Sequence, residues 1–315
     1  MLYRKLGNTG LKVSEISLGS WLTYGNAVEN DTAMQTIDTA YALGINFFDT
    51  ANVYNRGEAE KVVGAALEKY ERSSYVLATK VFFPMGDGPN DRGLSRKHVM
   101  ESVHASLKRL KQDYVDILYC HRYDPSTPVE ETLRAFDDLI HQGKILYAGI
   151  SEWSAVQIEE AMRVADRTLA NRFVVNQPQY SMLNRSIEAE VIPTSARNGI
   201  GQVVFSPLAQ GLLTGKYRSL QDIPADSRAA NDKMNGFIHR FLNEETFVKV
   251  NRIAAIAARM GIPMAQLALA WVLRQPNVAS ALIGASRPSQ VEENVKAAGY
   301  VIAPEYLAEI EAALR

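Results

Sequence analysis

Eight short runs rich in β-branched and aromatic residues recur along the chain: "EISLGSW", "INFFDTA", "YVLATKV", "YVDILYCH", "LYAGISEW", "FVVNQPQ", "QVVFSP" and "ASALIGAS". Between them lie stretches with apolar residues at helical spacing, among them "DTAMQTIDTAYALG", "EAEKVVGAALEKY", "RKHVMESVHASLKRL", "VEETLRAFDDLIHQG" and "AVQIEEAMRVAD". Strand and helix alternating eight times predict a parallel sheet closed into a (β/α)8 barrel, a TIM barrel, with an open doubly wound sheet as the alternative. One such domain accommodates residues 1–315. The opening "YRKLGNTGLKVSEISLG" predicts a β-hairpin about Gly-Asn-Thr-Gly, and "APEYLAEIEAALR" a C-terminal extra helix outside the repeat. The gap between "VVFSP" and "ALIGAS" is longer than the others. Its first part, about residues 209–240, has little periodicity, as expected of a loop that covers a site.

Side chains alternate along a strand, so residues of one parity face the barrel axis. On successive runs that parity reads Ile45, Phe47, Asp49; then Val76, Ala78, Lys80; then Val115, Ile117, Tyr119, His121; then Tyr147, Gly149, Ser151; then Val175, Gln177. Each series starts apolar or small and ends polar. A lone Asp at a strand end is ordinarily a turn or helix cap, and a lone Lys can snorkel. Five consecutive strands delivering an acid, a lysine, an imidazole, a hydroxyl and an amide to one rim instead describe a barrel active site.

Other chemistries find no support. Lys and Arg total 34 against 35 Asp and Glu, which gives no field to recruit nucleic acid or acidic lipid. His98, His104, His141 and His239 fall on helical or loop segments without metal-ligand spacing, so no metal is expected. The lone Cys120 has the parity opposite to His121 and reads as an inert buried thiol. It forms no internal disulfide, and with no signal-like start the expected location is the cytoplasm. "AAIAARMGIPMAQLALAWVL" is broken by Arg259, Gly261, Pro263 and Gln266 and predicts two helices meeting near Gly261-Ile262-Pro263, not a membrane insertion. No G-x-G-x-x-G follows a strand, and "GLLTGKY" is one residue short of a P-loop. A dinucleotide would have to bind outside a Rossmann fold.

Tyr54 follows Asp49 by five residues. A phenol has an ordinary pKa of about 10 and gives up a proton poorly at neutral pH. An ammonium about 4 Å away, at an effective dielectric of about 20, would favour its anion by about 4 kcal/mol, roughly three pKa units. Lys80 is placed to act so, Asp49 to keep Lys80 charged, and His121 to orient a carbonyl oxygen or relay a proton.

In this order, on successive strand ends, Asp49, Tyr54, Lys80 and His121 resemble the catalytic tetrad of the aldo-keto reductases. The resemblance runs from the hairpin to "SRPSQVEENV". "RGLSRKHV", "YVDILYCHRYDPSTPVEETLRAFDDLIHQGK" and "LIGASRPSQVEEN" are most similar to the branch of voltage-gated potassium channel β-subunits and their bacterial and plant relatives. It implies NADP(H) lying across the barrel mouth near Ser20, Trp21 and Asp49. Ser151 and Gln177 would hold the nicotinamide carboxamide and Phe205 would stack on its ring. The run from Ser206 through Pro207, Leu208, Ala209 and Gly211 to Lys216 would wrap the pyrophosphate, helped by Arg228. Gly284, Ser286, Gln290, Glu293 and Asn294 would meet the adenosine end, and Trp21, Tyr24 and Phe82, with Tyr54 and His121, the substrate. The chain departs from the family in carrying Glu152 where many members have Asn. The basic pair that reads the 2′-phosphate in other members aligns with Gly284 and Gln290, so that either Arg287 substitutes or the preference for NADP over NAD is weaker.

The resemblance implies an oxidoreductase that reduces aldehydes and ketones to alcohols, Tyr54 serving as general acid. A second reading is a nucleotide-sensing regulatory partner with slow turnover. His121 favours the enzyme, because the animal channel subunits have Asn there. A third takes Lys80 as the Schiff-base lysine of an aldolase, against which Tyr54 and the cofactor-binding tail argue. The channel branch implies a homo-oligomer, a tetramer or larger, while other reductases of this fold are monomers.

Overall fold

The alternation in the sequence becomes a closed parallel barrel. The computed structural model describes residues 1–21, 24, 29–217, 219–224, 227–230, 236 and 238–315. The chain opens with an antiparallel hairpin, β1 (Tyr3–Lys5) and β2 (Lys12–Ser14). The barrel strands are β3 (Ile16–Gly19), β4 (Phe47–Asp49), β5 (Val76–Val81), β6 (Val115–Cys120), β7 (Ile145–Ile150), β8 (Phe173–Asn176), β9 (Gly201–Phe205) and β10 (Val278–Gly284). Each pairs with the next, and β10 returns to β3. All eight pairings are parallel. The fold is a (β/α)8 barrel.

The helices are α1 (Asn30–Ala42), α2 (Glu58–Leu67), α3 (Arg96–Leu110), α4 (Val129–His141), α5 (Ala155–Thr168), α6 (Val191–Arg197), α7 (Glu244–Arg259), α8 (Met264–Leu273), α9 (Pro288–Asn294) and α10 (Pro304–Ala313). Local sequence fixes their starts. Ser95 caps α3 through the amide of His98, and Ser154 with Gln157 closes a reciprocal capping box on α5. In α4 the buried Val129, Thr132, Leu133, Phe136 and Leu139 recur at three- and four-residue intervals, one stripe against the sheet. The helices α7 and α8 meet at 96° across Gly261-Ile262-Pro263, where the sequence predicts the break. No single helix among the described residues is long and apolar enough to cross a membrane.

Two apolar cores result. The larger joins the helices to the outward side chains of the strands. The smaller fills the barrel with Phe47, Val76, Ala78, Ile117, Tyr119, Val175 and Val203, and it takes in Leu6 and Val13 of the hairpin. The hairpin thus plugs the barrel. Its turn is pressed so close that a side-chain carbon on Gly7 (φ +56°) would stand 2.3 Å from the carbonyl oxygen of Gly199. Ile45 and Val115, read as axis-facing, belong to the outer core instead. Ile45 precedes β4, where the alternation has not yet begun. With the interior filled by side chains and its N-terminal mouth closed, the C-terminal rim is the end left for chemistry.

Candidate active site

The inward parity of β4, β5 and β6 ends on three polar groups that the barrel brings together. Asp49 closes β4 and Lys80 lies one residue from the end of β5, each 1% exposed. Burying two charges is costly unless they pair, and the Lys80 ammonium donates to Asp49 Oδ1. It also donates to the Thr50 carbonyl oxygen at 2.9 Å. The other carboxylate oxygen of Asp49 accepts from the Gln177 side-chain amide at 2.8 Å. Burial drives both members of the pair toward their neutral forms, raising Asp49 and lowering Lys80, and their contact opposes it.

Tyr54 begins the short turn Tyr54–Gly57 that feeds α2. Its ring centroid lies 5.0 Å from the Lys80 ammonium and 5.7 Å from the His121 ring, edge-on. The sequence expectation that Lys80 draws this phenol below its ordinary range is corrected here. Burial first, and then the nearby Asp49 carboxylate, push it well above 10, with Arg122 opposing. The carboxylate that charges Lys80 also repels a phenolate, an effect the isolated Lys–Tyr argument leaves out.

His121 is 6% exposed, and its Nδ1 is buried with no hydrogen-bond partner among the described residues. Burial, with the charges of Lys80 and Arg122, holds its pKa well below 6.5. The ring is a neutral imidazole, able to donate one hydrogen bond.

The remaining expected residues are distributed around the same rim. Ser20 is buried and donates to the Thr50 hydroxyl at 2.9 Å, tying the ends of β3 and β4. Trp21 is half-buried beside it. Ser151 donates to the backbone oxygen of Gln177 at 2.8 Å, joining β7 to β8. Phe205 ends β9 half-buried, packed on the inner core. From Ser206 the backbone turns sharply: Ser206, Ala209, Gln210 and Gly211 all have positive φ, with Gly211 at +101°. A side-chain carbon on Gly211 would lie 3.9 Å from the Lys216 ammonium. A run of left-handed residues under a lysine suits an anion, so these residues fit a pyrophosphate. Pro207 is buried and Leu208 half-buried in the same turn. Arg228 starts a short turn, Arg228–Ala230, and its side chain lies outside the described residues.

Gly284 ends β10 opposite Gly19. Beyond it the Ser286 amide and hydroxyl both donate to Gln290 Oε1, so this loop closes on its own side chain. Arg287 donates to the Ser289 hydroxyl, the Glu293 backbone oxygen accepts from Gln266, and Asn294 is buried. Phe82 packs on the outer core, and Tyr24 is buried within it with no partner for its hydroxyl among the described residues. The departure at Glu152 acquires a use. It holds a left-handed backbone (φ +60°), and its carboxylate accepts from the Gln179 amide at 2.6 Å. Sequence reasoning missed Phe83, whose ring stands 4.8 Å from that of His121, and Arg122, next to His121 in the chain. Both lie just past a strand end, where parity ceases to apply.

A closed eight-stranded barrel with an Asp–Lys pair, a phenol and an imidazole on one rim defines a class. The profile of the aldo/keto reductase family matches residues 15–315, and the chain belongs to that family. A probable voltage-gated potassium channel subunit beta of Oryza sativa subsp. japonica is 44% identical over 320 residues, covering 100% of this chain and 97% of that protein. One of the same description from Arabidopsis thaliana is 47% identical over 300 residues, 94% of this chain and 91% of its own length. A putative subunit of that kind from Schizosaccharomyces pombe is 44% identical over 318 residues, 98% of this chain and 92% of its own.

Proposed function

We propose that the whole chain acts as one barrel domain that reduces aldehydes and ketones to alcohols with NADP(H), Tyr54 giving the proton. The observation that carries this reading is the placement of Asp49, Lys80, Tyr54 and His121 around one point on the barrel rim. NADPH, when bound, would supply the hydride for the carbonyl carbon. The protein's own residues position that carbonyl and manage the proton.

The raised pKa of Tyr54 keeps the phenol protonated at neutral pH. His121, neutral, donates a hydrogen bond to the carbonyl oxygen and orients it toward the phenol. As the phenol hands its proton to the developing alkoxide, the Lys80 ammonium, 5.0 Å from the ring centroid, attracts the phenolate against the burial and the Asp49 charge that oppose it. An ammonium has three N–H bonds, and Asp49 and Thr50 take two of them. The third is left for the phenol oxygen. A lysine lowered by burial facing a phenol raised by it then returns a proton to the phenolate, and the neutral Lys80 amine takes one up from solvent water to reset the site.

Around this centre Ser151 and Gln177 would hold the carboxamide, Phe205 would stack on the ring, and the turn from Ser206 to Lys216 would wrap the pyrophosphate. The loop over about residues 209–240, part of which lies outside the described residues, would cover the cofactor. Gly284, Ser286, Gln290, Glu293 and Asn294 bind the adenosine end, with Arg287 near its phosphate. The test is oxidation of NADPH by purified protein with 4-nitrobenzaldehyde or methylglyoxal. Tyr54→Phe should abolish turnover and keep NADPH binding, and full activity in that variant would refute the mechanism.

The names of the three relatives, each a voltage-gated potassium channel subunit beta, favour a second reading in which this chain partners a membrane channel. As a nucleotide sensor it would turn over slowly, and a single-turnover rate far above the multiple-turnover rate would separate it from a free-running reductase.

A further inference from the structure

We propose that Arg122 is a specificity-determining residue whose guanidinium receives an anionic group, carboxylate or phosphate, carried by the carbonyl substrate. This rests on the carbonyl-reductase reading of the same rim and adds the substrate class to it.

A half-buried guanidinium needs a counter-charge, and each of the other half-buried arginines among the described residues has one. Arg4 meets Glu15, Arg72 meets Asp116, Arg109 meets Glu60, and Arg185 and Arg274 share Glu188 and Glu311. All five are half-buried. Arg122 is half-buried too, yet no carboxylate among the described residues lies within ion-pair distance of it. It is held by one hydrogen bond, Nη1 to the His121 carbonyl oxygen at 2.5 Å, and by the Phe83 ring 5.4 Å from its guanidinium carbon. Of the five N–H bonds of a guanidinium, that uses one.

Its position ties it to the reacting groups. The rings of Tyr54, His121 and Phe83 stand in a row at 5.7 and 4.8 Å between centroids, and the guanidinium caps the Phe83 end. Its charge acts on Tyr54, Lys80 and His121 alike. The turn and loops proposed for the cofactor's phosphates follow β9 and β10, whereas Arg122 follows β6 on the side of Phe83. An uncompensated, fork-shaped donor set beside the proposed carbonyl position suits a carboxylate or phosphate a few bonds from that carbonyl.

The experiment compares matched pairs: succinic semialdehyde with butanal, and glyceraldehyde 3-phosphate with glyceraldehyde. Wild-type protein should favour the anionic member in kcat/KM in at least one pair, and that pair identifies the anion. Arg122→Met should lower the anionic-to-neutral ratio by about 10- to 100-fold, the worth of a charged hydrogen bond. Arg122→Lys, which keeps charge without the fork, should fall between. If Arg122→Met does not fold, Arg122→Lys and Arg122→Gln carry the same comparison.

An unchanged ratio in both pairs overturns the inference while leaving the reductase reading intact. If instead the wild type reduces no aldehyde, the reductase reading fails, and calorimetric binding of succinate and inorganic phosphate decides the anion site by itself. Binding of either that weakens in Arg122→Met supports the site; absent binding, or binding indifferent to the substitution, refutes it. Loss of NADPH affinity in Arg122→Met without a change in the substrate ratio would assign the guanidinium to the cofactor and overturn the inference as well.

Discussion

Removing the Lys80 ammonium is expected to destabilise the protein far more than a surface lysine would, and to do so in a pH-dependent way. In Lys80→Met the Thr50 carbonyl oxygen loses its 2.9 Å donor. Asp49, 1% exposed, keeps only the Gln177 amide at 2.8 Å. Breaking a buried pair from one side costs about 3–5 kcal/mol, because the surviving charge is stranded. For a domain of 315 residues, an unfolding entropy of about 2.1 cal/mol/K per residue makes that roughly 5–8 °C in melting temperature. Burial already raises Asp49 with Lys80 present, and removing the lysine's opposing pull raises it further. A folded pKa above the unfolded value near 4 means the stability is fully present below about pH 4 and is lost as pH rises through the folded value. The deficit of Lys80→Met against wild type should therefore be largest at pH 7–8 and shrink toward pH 4–5. Asp49→Asn combined with Lys80→Met strands no charge and should recover at least about 2 kcal/mol of the summed single-variant losses. Denaturant midpoints across pH for the four proteins test this. A single-variant cost below about 1 kcal/mol, or additive losses in the double variant, would refute the reasoning.

Three further outcomes are expected. Asp124 accepts from the amides of Leu94 and Ser126 and the hydroxyls of Ser126 and Thr127. Burial pushes its carboxyl up, but these bonds prevail and hold it below the ordinary range. Asp124→Asn should cost about 1–3 kcal/mol at pH 7. A depressed carboxyl stabilises above the unfolded pKa and loses that stability as pH falls through the folded value, so the difference in denaturant midpoint should close below about pH 4. Glu152→Ala keeps the left-handed backbone and removes the acceptor of the Gln179 amide, for a loss of about 1–2 kcal/mol. Glu152→Gly relieves the backbone at the same time and should lose less than Glu152→Ala in the same thermal melts. Gly211→Ala, at φ +101°, should cost about 1–2 kcal/mol of stability or, if the turn opens to relieve it, weaken NADPH binding roughly tenfold by fluorescence titration.

Strand and helix alternating eight times make the barrel legible, and because strands such as β5 and β6 are buried on both faces, it is the polar residue ending each inward series that marks the rim. Asp49, Lys80, His121, Ser151 and Gln177 are thereby recognisable as one rim. Tyr54 stands out by following Asp49 by five residues, but it lies in a turn where spacing carries no directional information, and the family resemblance is what puts it on the rim. Arg122 and Phe83 lie past the ends of β6 and β5, and nothing in their spacing shows that they meet beside His121. The direction of the Tyr54 shift was missed for a different reason. It depends on burial and on a carboxylate that the sequence argument had already assigned to Lys80. Glu152 shows the converse: a residue that looked only like a departure from the family pattern holds the Gln179 amide across from β7.

The central claim is that Tyr54 gives the proton while the cofactor site stands independent of it. Single-turnover reduction of 4-nitrobenzaldehyde by NADPH-loaded protein, wild type against Tyr54→Phe, addresses it most directly when paired with an NADPH titration of both. The variant should lose at least about 10²-fold in the single-turnover rate, the lower end of what a positioned general acid contributes, with NADPH affinity within about twofold. A Tyr54→Phe variant that reduces the aldehyde at the wild-type rate would contradict it.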